Sequence, residues 1–292
     1  MLLAGGVAAA GCGLGPGASV GSVALLITRD YGQQRLGQSE VSDVKESDTV
    51  MRVLDRSGDI TTRYGGGFVQ SIDGLAAGSS GGRPEDWFFY VNGVESPVGA
   101  ADYTLHGGDR VWWDYRDWTA AMHVPAVVGS WPEPFRDGYE GERHPVRVRC
   151  FEAGGACRMA RREVRDAAGP GRTGGAAIEV LVGTWDRVRS DPAAAQIEHG
   201  PGYSGVFAEM EHSGRTWSLR GLSADGAAAR TFGPDTGLVA ATRRYGSAPV
   251  WVVTGTRQAG VQAAAAALRP KRLRYHYAVA VEGGRTTPLP VP

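Results

Sequence analysis

The sequence predicts an α+β fold in two units, a sheet with one early helix followed by an α/β or α+β layered domain. Three observations predict it. Residues 22–118 hold short apolar runs divided by turns at Asn92-Gly93 and Gly107-Gly108, with one helix-like stretch among them. Residues 119–142 are rich in Pro and aromatic residues and read as an irregular connector, because each Pro holds its predecessor extended. Residues 143–292 alternate strand-like and helix-like segments. A chain of 292 residues accommodates two units of roughly 100–200 residues each.

Composition supports a packed protein, with 42% hydrophobic and 21% charged residues. The 31 basic and 31 acidic side chains cancel, which argues against nucleic acid as a partner. Only Lys45 and Lys271 are lysines. Arg dominance with abundant Ala and Gly reads as a coding bias, so single arginines carry little functional information.

Residues 1–21 read as a signal-like segment and tether. The stretch before Cys12 is apolar and uncharged, and too short to span a bilayer, which needs about 20 apolar residues. Ala9-Ala10-Gly11-Cys12 resembles a bacterial lipobox, in which Cys12 would carry lipid and become the mature N-terminus. The expected location is extracytoplasmic, with a lipid anchor as the sole membrane attachment, or secreted. Cys150 and Cys157 enclose Gly154-Gly155, which can bend the chain back, so a local disulfide is expected. That pairing suits an oxidising compartment. The spacing is not that of a Cys-x-x-Cys redox pair. His144 alone lies nearby, too few ligands for zinc.

In the first unit, Val23–Thr28 is apolar enough for a central strand. Ser47 or Asp48 can cap a helix over Thr49–Asp55 that sets Val50, Val53 and Leu54 on one face. Strands follow at Ile60–Tyr64, Phe68–Ile72 and Trp87–Val91. Asn92-Gly93 then makes a hairpin turn, since both central positions need positive φ. Arg110–Tyr115 is a further strand. Alternation puts Trp87, Phe89 and Val91 on one side of their strand and Phe88 and Tyr90 on the other. Trp112 and Asp114 likewise oppose Val111, Trp113 and Tyr115. One face is core. The other is a ligand platform or the contact surface for the second unit.

In the second unit the expected strands are Pro145–Cys150, Ile178–Val182, Ser204–Glu209, Thr216–Leu222, Val250–Thr254 and a final Tyr275–Val281. The expected helices are Cys157–Ala168, Asp191–Glu198 with Pro192 in its first turn, and Gln258–Leu268. Val180–Trp185 and Val252–Thr256 share a strand running into Gly-Thr.

The series Tyr64-Gly65, Phe68–Gly74, Trp87–Gly93, Gly99, Tyr103, Leu105, Gly108-Asp109 and Val111–Tyr115 resembles the transcobalamin C-terminal-like domain. The resemblance covers about residues 22–118 and implies a small β-grasp-like module. In the vertebrate carriers the module closes over cobalamin, whereas related domains of bacterial surface proteins mostly have no assigned ligand; the resemblance points to Trp87 first, then Phe68 and Tyr90, as ligand-binding residues. The helical cobalamin-binding domain of the vertebrate carriers has no counterpart in this chain. Residues 143–292 carry no recognised resemblance.

Signals for catalysis are weak. Gly78-Ser79-Ser80-Gly81-Gly82 fits G-x-S-x-G only formally, because no strand and helix flank Ser80 to form an elbow. Gly255–Gly260 follows a strand and opens a helix but lacks the Lys and Ser/Thr of a phosphate-binding loop, which leaves Thr256 and Arg257 as minor anion candidates. The six histidines are scattered, with no metal or catalytic pairing, so no metal, cofactor or catalytic residue is assigned. A convergent carboxylate at His144 or His199 would reopen an enzymatic role. The expected function is an extracytoplasmic, lipid-anchored binding protein whose transcobalamin-like first unit holds a small molecule, with a corrinoid-like one as a candidate, or a partner, and whose second unit closes the site. A structural or adhesive surface protein is the alternative.

Overall fold

The computed structural model describes residue 15 and residues 17–171, 173–214 and 216–292. Cys12 and the lipobox-like segment lie outside the described residues. The protein is α+β and contains several sheets.

The first unit runs β1 (Ser19–Arg29), β2 (Gln34–Lys45), α1 (Val50–Ser57), β3 (Ile60–Arg63), β4 (Phe68–Ile72), β5 (Leu75–Ala76), β6 (Gly78–Ser80), β7 (Arg83–Val91), β8 (Val94–Glu95) and β9 (Arg110–Asp117). The main sheet has the order β2-β1-β9-β7-β6, with β8 also on β7. β1 and β9 are parallel neighbours at its centre, and the other pairs are antiparallel. One face grasps α1, whose Val50, Val53 and Leu54 pack against Val23, Leu25 and Val111. The helix cap is Thr49, whose side chain accepts from Arg52 N, rather than Ser47 or Asp48. Asp48 instead forms a two-pronged pair with Arg56 and accepts from Lys45 N. Asn92 and Gly93 have φ of 54° and 77°, as their hairpin turn requires.

The second unit runs β10 (Val146–Cys150), α2 (Gly155–Ala167), β11 (Ile178–Thr184), α3 (Trp185–Val188), α4 (Pro192–Ala195), α5 (Pro201–Ser204), β12 (Ala208–Ser213), β13 (Thr216–Leu222), β14 (Ala228–Thr231), β15 (Gly237–Thr242), β16 (Val250–Gly255), α6 (Gln258–Ala266), α7 (Pro270–Leu273), β17 (Ala278–Glu282) and β18 (Arg285–Leu289). Its main sheet has the order β10-β11-β16-β15-β17-β18. β10, β11 and β16 are parallel, and the remaining pairs are antiparallel.

Both faces of this sheet are covered, so its central strands are apolar throughout. On one face Val180, Val239 and Val253 meet α2, α6 and the connector aromatics. On the other, Leu181, Leu238 and Val252 meet Trp185 of α3, Phe207 just before β12, and Leu219 of the small β12-β13-β14 sheet. The two Gly-Thr strand ends, Gly183-Thr184 and Gly255-Thr256, belong to the parallel neighbours β11 and β16. At Gly255 a Cβ would lie 2.5 Å from the Gly260 carbonyl carbon, so glycine lets α6 approach the strand end.

Two expected elements change and one strand was not expected. Ser204 ends a helical turn, and the strand begins at Ala208, because Pro201 starts α5 and Gly205 closes it in the left-handed region. β17 is not the final strand, since β18 pairs with it through the Gly283-Gly284 turn. β2 escapes a periodicity reading because it is a sheet edge and mostly exposed, with no apolar face to alternate.

Candidate functional site

Strand alternation on β9 builds the junction between the units. Val111, Trp113 and Tyr115 face α1, whereas Trp112, Asp114 and Arg116 face the second unit and are fully buried. Asp114 accepts from Tyr31 N and Gly32 N at 3.0 Å each, from the Thr28 hydroxyl, and from the Tyr277 hydroxyl at 2.9 Å. Trp112 Nε1 donates to Thr28 Oγ1 at 2.7 Å. Arg116 donates to the carbonyls of Ala121 and Met122 at 2.6 and 2.9 Å, and its guanidinium lies 3.7 Å from the centre of the Phe88 ring. Burial pushes the Asp114 carboxyl up to about 6, against the pull of its hydrogen bonds and the Arg116 charge. Tyr31, Tyr90 and Trp112 join Tyr277 and Phe207 in one core shared by both units. The second face of the sheet is therefore a contact surface between units and not an open platform.

The three residues suggested by the resemblance do not converge. Trp87 is buried against Tyr115 on the α1 side, and its Nε1 donates to Leu75 O at 2.9 Å. Tyr90 is fully buried on the opposite side of β7, at the junction. Phe68 is half-buried on β4, edge-on to the exposed Tyr64. Neither Trp87 nor Tyr90 offers a ring face to a ligand in this arrangement.

The other candidates also settle. Cys150 and Cys157 form a disulfide with a Cα–Cα distance of 5.8 Å, joining the end of β10 to the start of α2. Ser80 lies on the short strand β6 and is followed by a turn into β7 rather than by a helix. Thr256 spends its hydroxyl on Pro234 O and its amide on Thr236 O, leaving neither for an anion. Arg257 lies 4.0 Å from Asp235. His144 stacks on Tyr139 with ring centres 3.9 Å apart, and His199 lies beside Tyr203. Among the described residues, no three His, Cys, Asp or Glu side chains gather to hold a metal ion, and no helix is long and apolar enough to cross a membrane.

An open groove of about 370 Å³ lies between the connector, β10 and α2. Phe135, Val146, Val148 and Val164 form its apolar floor, and Arg136, Arg143, Arg161 and Arg165 ring it with His144. None of the described lining residues is acidic. Arg136 is tethered from outside the groove, 2.7 Å from the buried Glu133 and 2.8 Å from Asp137. Arg143 leans on the Arg136 carbonyl and lies 3.9 Å from Asp137. Burial pushes the Glu133 carboxyl up to about 7 despite its bond from Asp137 N and the Arg136 charge. The groove was not legible in the sequence, because its arginines come from separate segments and looked like coding bias.

Fold and site together define a two-unit α+β protein with a helix-grasping sheet in front and a cationic groove in the second unit. A family model described as a domain of unknown function, DUF4430, matches residues 47–117, well under half of the chain. Among solved structures, the chain is similar to one from Ruminococcus gnavus described as a “putative metal binding protein”, at 14% identity and a TM-score of 0.27. That likeness covers 33% of this chain and 97% of the other. No curated protein matches the chain.

Proposed function

We propose that this is an extracytoplasmic binding protein, anchored by lipid on Cys12, that holds a small molecule in the groove between the connector, β10 and α2. The transcobalamin-like first unit acts as a rigid base through the shared core at Tyr31, Tyr90 and Trp112. The carrying observation is the groove itself, a concave site with an apolar floor and a few convergent charged groups. The match over residues 47–117 agrees with a DUF4430 module, and the resemblance makes a corrinoid one ligand to include in any screen. The Cys150–Cys157 disulfide supports an oxidising compartment. In this reading the protein binds rather than catalyses, and Trp87, Phe68 and Tyr90 shape the base rather than touch the ligand.

Native mass spectrometry of the intact chain tests this, after exposure to a bacterial metabolite extract and, separately, to cobalamin and cobinamide. A small-molecule adduct that disappears in Arg161→Glu/Arg165→Glu is the expected result. An adduct unaffected by that variant moves the site elsewhere. No adduct at all favours a structural or adhesive role.

A further inference from the structure

The groove's four arginines are not equivalent. Arg136 and Arg143 are partly neutralised by Glu133 and Asp137. Arg161 and Arg165 lie four residues apart on α2, so they project from the same side one turn apart. Both are exposed. Arg161 has no ion pair among the described residues, and Arg165 reaches only the exposed Asp166, at 3.5 Å. Two available guanidiniums thus stand over an apolar floor of Phe135, Val146, Val148 and Val164. Planar guanidiniums match carboxylate and phosphate oxygens. The floor offers those anions nothing, and an apolar chain would cover it. A volume near 370 Å³ lies at the lower end of small-ligand clefts, about 300–1,000 Å³.

We infer that the groove binds a single-chain amphiphile with a carboxylate or phosphate head, the head held by Arg161 and Arg165 and the chain laid over Phe135, Val146, Val148 and Val164. This rests on the groove being the ligand site, as proposed above. It adds the chemical class of the ligand. Head and chain are both needed, because the arginines contribute charge-assisted bonds and the apolar lining contributes burial, mostly at the half-buried Val146 and Val148, since Phe135 and Val164 are already buried.

Isothermal titration of the intact chain with decanoate, decyl phosphate, decanol and inorganic phosphate, each kept monomeric in solution, tests the inference. Decanoate and decyl phosphate should bind in the micromolar range, and decanol and phosphate at least about tenfold more weakly. Arg161→Gln/Arg165→Gln should weaken decanoate by about tenfold or more with an unchanged melting temperature. Since both side chains are exposed, loss of folding is not expected. Phosphate binding as tightly as decyl phosphate, or decanol as tightly as decanoate, overturns the inference. An unaffected double variant overturns it too. If the metabolite or corrinoid adduct persists while none of these amphiphiles competes, the inference fails and the binding-protein reading stands. If neither experiment detects a ligand, both fail.

Discussion

Tyr277 donates its hydroxyl to Asp114 Oδ2 at 2.9 Å, joining the approach to β17 in the second unit to the central strand β9 of the first. Tyr277 also packs edge-on against Tyr31, Tyr90 and Trp112. The junction therefore has the character of a protein interior, in which every donor aimed at Asp114 raises the cost of losing it.

The junction should carry a pH signature. Asp114 has a folded pKa of about 6, raised by burial from 3.8. Between those values the folded state binds a proton that the unfolded state does not. Its contribution is therefore fully present below about 4, falls as pH rises to about 6, and is flat above, a span of about 3 kcal/mol. Urea unfolding from pH 4 to 7 should show a slope in the wild type that shrinks by the Asp114 share in Asp114→Asn, the remainder coming from Glu133, which burial also raises. The same slope in both proteins would assign it to other groups.

Ligand affinity should respond to Glu133. This buried carboxylate, pushed to about 7, neutralises Arg136 at the groove when ionised. Protonation as pH falls from 8 to 6 leaves Arg136 less compensated, so decanoate binding should tighten several-fold. Glu133→Gln should bind as the wild type does at pH 6 and lose the dependence. Titrations at the two pH values decide it.

The disulfide clamps two walls of the groove, since β10 carries Val146 and Val148 and α2 carries Val164 and Arg161. A loop of this length contributes about 2.5 kcal/mol on the chain-entropy model. Cys150→Ser/Cys157→Ser should lower stability by about that amount in urea unfolding and weaken decanoate binding several-fold under conditions where the variant stays folded. Unchanged affinity with reduced stability would show that the walls hold without the clamp.

Trp87 should behave as a core residue. Trp87→Ala should destabilise by about 3–5 kcal/mol through the cavity it leaves. Trp87→Phe should cost about 1 kcal/mol for the lost Leu75 bond and leave groove binding intact. A Trp87→Phe variant with native stability and lost ligand binding would restore the aromatic site that the family resemblance suggests.

The anchor is testable directly. Cells fed labelled palmitate should incorporate label into the wild-type chain and none into Cys12→Ser. Equal labelling would remove the lipoprotein assignment.

The sequence by itself determined most of the local structure. The β7 and β9 alternation, the Asn92-Gly93 turn, the α1 face and the Cys150–Cys157 pair were all readable, because each depends on neighbours within a few residues. The β2 edge was not, since its exposed residues leave no periodic mark. Tertiary structure alone decided which aromatic face of the first sheet is core and which is the junction, because both faces are apolar and only the packing of Tyr277 and Phe207 separates them. It also decided the groove, whose arginines at 136, 143, 161 and 165 converge only when the connector and α2 fold beside β10. Charge over an apolar floor is a property of spatial arrangement, and residue order carries no trace of it.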